Sequence, residues 1–231
     1  MQRPKSLFAL VACLAGLGAC PATAKDRGVV YAGLSAGDGL GGFAGAVVAL
    51  PGGRLGKGLA VRGGANAGEY RYQAGGGNVE ARYVGAEVAL VYQTSGEWGW
   101  ANFGAGPRVT DTRLSPNDPG NRLGGTHLDA AVGTDGAYGD RWRLGWFASF
   151  GINDRAYITQ LRLGRRLGTS PTRIGVEGGI QGNRSYTRGS AGGFVSTTLG
   201  KGIEGVVSVG FSEQAGRNAR PYAGIAVSKV F

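Results

Sequence analysis

The sequence predicts an all-β fold, a closed antiparallel up-and-down β-barrel of about twelve strands. Three observations lead there. After Lys25 no stretch sustains a 3.6-residue apolar period, whereas alternation with a period of two recurs throughout. Glycine is abundant, 47 of 231 residues, about three times the usual ~7%. It has no Gly-X-Y period and is interleaved with aromatic and β-branched residues, which excludes collagen and low-complexity linker. Finally, residues 220–231 place Ala223, Ile225, Val227 and Phe231 on one face, with only Lys229 out of pattern. Tyr222, Gly224, Ala226 and Ser228 fall on the other. That is a strand with one apolar and one small or polar side.

The first residues read as an export signal. Arg3 and Lys5 form a charged head, residues 7–18 are apolar but too short to span a bilayer, and Ala22-Thr23-Ala24 is a small-residue cleavage site. The expected division is a signal peptide over 1–24 and one barrel domain over 25–231. A competing reading takes Leu17-Gly18-Ala19-Cys20 as a lipoprotein processing site that leaves a lipid anchor at Cys20. Both cysteines, Cys13 and Cys20, lie in the leader, so cleavage after Ala24 leaves no thiol for a disulfide, metal ligand or nucleophile. The formal charge is +10, and removal of Arg3 and Lys5 leaves +8. Export argues against nucleic acid as the partner. Lipopolysaccharide, acidic polysaccharide or a basic lumen suits the charge better.

The strands follow in order. Residues 29–36 end at Gly37-Asp38-Gly39, and 43–50 end at Pro51-Gly52-Gly53. Residues 59–72 are long and glycine-broken and stop before Gly75-Gly76-Gly77. In 79–92, Val84, Ala86, Val88, Leu90 and Tyr92 oppose Tyr83, Gly85, Glu87 and Ala89. After Ser95-Gly96-Glu97 comes 98–109, then a long loop over 111–126. Residues 128–137 set Leu128, Ala130 and Val132 against Asp129, Gly133 and Asp135. Past Gly139-Asp140, residues 142–150 set Trp142, Leu144, Trp146, Ala148 and Phe150 against Arg143, Gly145 and Ser149. Further strands centre on 157–164, 173–181, 195–199 and 203–211, with loops at 183–190 and 213–220 before the last strand. Counts of eight or ten strands also remain open, because hairpins are easily miscounted.

Every second link is short except 51–57, and the three longest links fall on the other end, as expected of a barrel with both termini on its short-turn side. Alternation alone does not say which face is inside. The glycine-rich polar face and the placement of Trp98, Trp100, Trp142 and Trp146 near strand ends or on the apolar face favour an apolar face turned to lipid. The lumen would then hold Glu87, Asp129, Arg143, Gln160, Arg162, Arg173, Glu177, Gln181 and Glu204. Their mixed signs favour a plugged or narrow lumen over a wide pore.

Catalytic chemistry has little support. The one histidine, His127, lies at the end of the long loop, with Thr126 before it and Asp129 after it. A hydrolytic triad also needs a nucleophile, an orienting acid and an oxyanion site, and Ser115 lies twelve residues upstream. A rim histidine is the plainer reading. No metal site or cofactor is expected. Gly75-Gly76-Gly77 and Gly41-Gly42 lack a following Lys-Ser/Thr, so they read as turns, not phosphate loops.

The final strand with its terminal Phe231 resembles that of bacterial outer-membrane barrels, which makes the expected fold an outer-membrane type. The loop Leu114-Ser115-Pro116-Asn117-Asp118-Pro119-Gly120-Asn121-Arg122 resembles the cellulose biosynthesis protein BcsS family. So do Val30-Tyr31-Ala32-Gly33-Leu34, Gly42-Phe43 and Val48-Ala49-Leu50-Pro51-Gly52. The resemblance runs over most of the mature chain. It implies an exported outer-membrane protein linked to bacterial cellulose, without an enzymatic step, in contact with outer-membrane lipid, cellulose or the cellulose synthase complex. In that reading Ser115, Pro116, Asn117, Asp118, Pro119, Asn121 and Arg122 form a functional loop, and Tyr70, Tyr72, Trp98 and Trp100 are candidate glucan contacts. Two alternatives stand beside it. One is a small porin for anionic oligosaccharides with a track of Arg143, Arg162 and Arg173. The other is a lipid-modifying enzyme at His127.

Overall fold

The computed structural model describes residues 26–37, 39–74, 77–214 and 217–231. The predicted leader, its cleavage site and Cys20 lie outside the described residues. Twelve strands run in order: β1 (Gly28–Ala36), β2 (Leu40–Ala49), β3 (Gly58–Ala74), β4 (Gly77–Gly96), β5 (Gly99–Ser115), β6 (Gly125–Tyr138), β7 (Trp142–Gly151), β8 (Tyr157–Arg166), β9 (Arg173–Gly182), β10 (Thr187–Gly200), β11 (Ile203–Gln214) and β12 (Arg220–Val230). Each pairs antiparallel with its sequence neighbours, and β1 pairs with β12 to close the barrel. Beside that pairing, the Phe231 carbonyl accepts from the backbone N–H of Arg27 at 2.7 Å and of Gly28 at 3.0 Å. Closure gives every strand two hydrogen-bonded neighbours, which a strand fold in lipid requires.

The alternation sorts into the two faces expected. Val84, Val88, Leu90 and Tyr92 on β4, Val176 on β9, Val207 and Val209 on β11, and Ile225 and Val227 on β12 are all exposed on the outside. The belt has a sharp upper limit. Outward positions change from Ala67 to Glu69 on β3, from Val84 to Arg82 on β4, and from Val109 to Asp111 on β5. From Val84 to Tyr92 the belt runs about 26 Å along the strand at ~3.3 Å per residue, close to the apolar band of outer-membrane barrels. Exposed Tyr92, Trp98, Tyr138 and Trp142 gather at its lower edge, the end of the short turns and both described termini.

Several predicted loops prove to be strand. β5 continues to Ser115 and β6 begins at Gly125, so the expected 111–126 loop shrinks to 116–124. β10 begins at Thr187, not after 190, and β11 continues to Gln214. Gly41 and Gly42 are not a turn. They sit inside β2, opposite Ser35 and Leu34. Gly77 starts β4, while Gly75 and Gly76 lie outside the described residues. The asymmetry between the two ends therefore resides in strand length more than in loops. Above Gly68, β3 outruns β2 and continues with β4 as a projecting hairpin. Its outer face carries the ion pairs Arg71–Glu80 at 3.2 Å, Arg82–Glu80 at 2.7 Å and Arg82–Glu69 at 3.8 Å. Such a surface belongs in water, not lipid.

Glycine works in two ways on the inner face. Gly104 and Gly133 leave room for a long side chain: a Cβ on either would lie 3.4 Å from Arg62 Nη2. Gly175 permits close approach of backbone, since a Cβ there would meet the Leu163 carbonyl and Gly164 Cα.

Candidate functional site

At mid-height the lumen holds a hydrogen-bonded cluster, the septum, that joins strands β3 to β7 along one side of the barrel. Arg62 on β3 is 7% exposed. Its Nη1 donates to Asp135 Oδ1 on β6 at 3.2 Å, and its Nε lies 3.3 Å from Glu87 Oε1 on β4. From β5, Arg108 Nη2 donates to Glu87 Oε2 at 2.7 Å and also to Ser149 Oγ on β7. Asn102 Nδ2 donates to Asp135 Oδ2 at 2.8 Å, and Asn102 Oδ1 accepts from Gln93 Nε2 at 3.1 Å. Buried charges persist when paired and hydrogen-bonded in this way. A second knot centres on Glu177 of β9. It accepts from Arg162 Nε at 2.8 Å, Tyr222 OH at 2.7 Å and Gln160 Nε2 at 3.4 Å.

Above the septum is a chamber of about 170 Å³ lined by Asn66, Tyr70, Tyr83, Thr110, Gln181 and Tyr186, among others. Tyr70 stacks on Tyr186 with centroids 4.5 Å apart and rings 25° from parallel, and it also tilts against Tyr72 and Tyr83. Burial pushes the Tyr186 phenol up, so it stays a neutral hydroxyl. The 116–124 loop folds onto this chamber. Tyr72 OH donates to Asp118 Oδ2 and accepts from Asn121 Nδ2, both at 2.8 Å. Asp118 and Asn121 each cap a backbone N–H two residues on, at Gly120 and Leu123, both at 3.0 Å. Leu123 is thereby held against the chamber.

Below the septum is a larger chamber of about 290 Å³. Arg143, Arg162, Arg173 and Glu204 line it together with Tyr31, Phe43, Phe147 and Phe194.

The residues expected in the lumen are thus distributed among three levels. Glu87 belongs to the septum, Gln160, Arg162 and Glu177 to the second knot, and Arg143, Arg173 and Glu204 to the lower chamber. Gln181 lines the upper chamber. Asp129 also faces it but secures the 152–156 link, accepting from Asn153 N at 2.8 Å and Asp154 N at 3.4 Å. In the loop, Asp118 and Asn121 point inward and are hydrogen-bonded, while Ser115, Pro116, Asn117, Pro119 and Arg122 are exposed. The four candidate glucan contacts are not brought together. Tyr70 and Tyr72 lie at the long-strand end, and Trp98 and Trp100 at the short-turn end. Tyr72 is 4% exposed and engaged with the loop. Trp100 lines the lower chamber.

His127 Nε2 lies 3.0 Å from the Gly124 carbonyl, and Nδ1 lies 4.0 Å from Asp154 Oδ1. Desolvation, followed by the neighbouring Asp129 carboxylate, raises the pKa of Asp154 above its usual range, against the pull of His127. Among the described residues, no cluster of three metal-ligating side chains occurs.

Sequence alternation places Tyr222 on the polar face without a partner, and the lumen expected from sequence does not include Arg62, Gln93, Asn102 and Arg108. Counting by twos from Leu59 and Val61 puts Arg62 on the inner face, a signal obscured by the glycines of that strand.

A family model described as cellulose biosynthesis protein BcsS matches residues 29–231. The chain belongs to the BcsS family. No curated protein matches it. Among solved structures, this BcsS-family barrel resembles the KdgM porin at 12% identity and a TM-score of 0.50, over 88% of this chain and 99% of that one. It is similar to the same degree to KdgM in complex with disordered oligogalacturonate. The TodX monoaromatic hydrocarbon channel deltaS2 mutant matches at 8% identity and a TM-score of 0.50, over 90% of this chain and 91% of that one. These likenesses establish an outer-membrane type of barrel fold.

Proposed function

We propose that this BcsS-family barrel is a non-enzymatic outer-membrane component of bacterial cellulose production that anchors or organises the glucan at the cell's outer face. The observation that carries the reading is the Tyr70–Tyr186 stack beside a polar chamber lined by hydroxyl and amide side chains together with Arg108, His127, Asp129 and Asp154, with the Arg62–Glu87–Asp135 septum beneath. Aromatic faces with polar rims suit sugar rings. A polymer passing through the barrel needs a wide bore, and the septum side chains occupy part of it, which supports anchoring over export. The long-strand end faces outward in this reading, as longer extracellular segments do in such barrels. Outer-membrane lipid and lipopolysaccharide surround the belt, and the cellulose synthase complex is the partner on the periplasmic side. The His127 ring contacts a backbone carbonyl and a carboxylate, an arrangement that supports a structural role over lipid hydrolysis.

The test is retention of the purified, detergent-folded protein on insoluble cellulose, with a Tyr70→Ala, Tyr186→Ala variant alongside. The parent should be retained and the variant lost, and a deletion strain should bind less cellulose dye. Equal retention of parent and variant, with unchanged dye binding in the deletion strain, would sink the reading.

A further inference from the structure

The lower chamber has a chemistry unlike the upper one. Three guanidinium groups, Arg143, Arg162 and Arg173, share a cavity of about 290 Å³ with one lining carboxylate, Glu204. Arg162 is committed to Glu177 at 2.8 Å and lies over the Phe194 ring with its Cζ 5.7 Å from the centroid. The other two are not committed. Arg173 is 6% exposed, and its Nε is buried with no hydrogen-bond partner among the described residues. Its Nη2 has only Asp140, at 3.6 Å from Oδ1 and 3.5 Å from the carbonyl. Asp140 is itself largely exposed and shared with Arg166. Arg143 Nε is likewise buried and unsatisfied, and among the described residues Arg143 makes no hydrogen bond or ion pair.

Stranding two guanidinium donors in a protein interior is costly unless something meets them. Like charges close together make the arrangement worse, and Arg143 and Arg166 each act on Arg173 in that sense. Among the described residues, Arg62 Nε and Arg166 Nε are also buried without a hydrogen-bond partner, but Arg62 and Arg108 each have a carboxylate at 3.3 Å or less, which Arg143 and Arg173 lack. The cavity also has apolar walls, with Phe43, Phe147 and Phe194 facing it. Planar donors beside aromatic faces are the elements that recognise a ring bearing an oxyanion.

We propose that the lower chamber binds an anionic saccharide unit from the periplasmic side, its carboxylate held by Arg143 and Arg173 and its ring against Phe147 and Phe194. At this volume the site takes about one sugar residue, with the septum's ion pairs above it. The arginines act as recognition groups. The proposal shares the membrane orientation of the glucan reading but rests on the other chamber.

Isothermal titration of the full detergent-folded protein with glucuronate, glucose and inorganic phosphate tests it. Glucuronate should bind, glucose should not, and phosphate should bind more weakly than glucuronate. Arg143→Gln and Arg173→Gln should each weaken glucuronate by about tenfold or more, the loss of one charge-assisted contact. Heat-modifiable gel mobility checks that each variant is folded, and a second pair, Arg143→Lys and Arg173→Lys, retains charge if the glutamine forms fail to fold. The lysine forms should recover part of the affinity. Absence of glucuronate binding, equal binding of glucose, or equal binding of phosphate overturns the proposal. Arg143→Gln should leave retention on insoluble cellulose unchanged, so failure here and failure of the glucan reading are told apart.

Discussion

Arg62 crosses from β3 to Asp135 on β6, Nη1 to Oδ1 at 3.2 Å, while its Nε stays 3.3 Å from Glu87 on the adjacent strand. One cation thus sits between two carboxylates in the middle of the barrel. Removing it leaves Asp135 without its counter-charge while Glu87 keeps Arg108, a loss of about 3–5 kcal/mol for a broken buried pair. Arg62→Ala should lower the heat-modification midpoint clearly. Adding Asp135→Ala should recover much of that loss, because Glu87 keeps Arg108. Planar-bilayer recording should show a closed parent and a conducting Arg62→Ala, Asp135→Ala variant. A large, steady conductance from the parent protein would contradict the septum.

Tyr72→Phe deletes one hydroxyl that serves Asp118 and Asn121 together. The barrel should form normally, because the change is local, but the 116–124 loop should loosen by about 1–3 kcal/mol, the cost of stranding its two partners. Trypsin cleavage after exposed Arg122 should quicken in the variant. Identical digestion rates would mean that the loop is held by other contacts.

Val176 lies mid-strand on β9, faces outward and is 62% exposed. Val176→Arg should cost about 2–4 kcal/mol if that position meets the bilayer centre. The expected readout is a reduced folded fraction in lipid vesicles on a heat-modifiable gel. Val176→Leu should fold as the parent does. An arginine variant that folds equally well would remove the outer belt from lipid.

Asp154 has a folded-state pKa above its ordinary 3.8, through desolvation first and the Asp129 carboxylate second. For an acid raised in this direction, its stabilising contribution is complete below the unfolded pKa and is lost as pH rises through the folded one. Asp154→Asn should therefore be the more stable form at neutral pH, and the gap should close on acidification. Heat-modification midpoints at pH 4 and pH 7 for both proteins check this. A gap of constant size would show that the carboxylate is solvated.

Much of the architecture was readable before any coordinates, for a physical reason. Where strands cross lipid, the outward residue must be apolar at every second position, so Val84 to Tyr92, Ile174 to Ile180 and Ile225 to Val227 announce both strand and face. The signal fades where that constraint ends. Above Val109 the outward positions become Asp111 and Arg113, and the strand looks like loop although its ladder continues to Ser115. In 189–193 both faces are small, so β10 lacks contrast until Phe194. The septum lay further out of reach. Arg62 and Asp135 are 73 residues apart, on strands that are not neighbours, and only the curvature of a closed sheet brings them together. The splitting of the tyrosine and tryptophan candidates between opposite ends has the same origin, since strand direction alone puts Tyr72 and Trp100 far apart.

The Tyr222–Glu177 contact links β12 to β9, so it forms only after the final strand has docked in the right alignment. A slip of one residue would turn Tyr222 toward lipid and bring Pro221 or Ala223 inside. A slip of two would carry its hydroxyl about 7 Å along the strand. Either error leaves Glu177 short of a donor, so a single phenol proofreads how the barrel shuts.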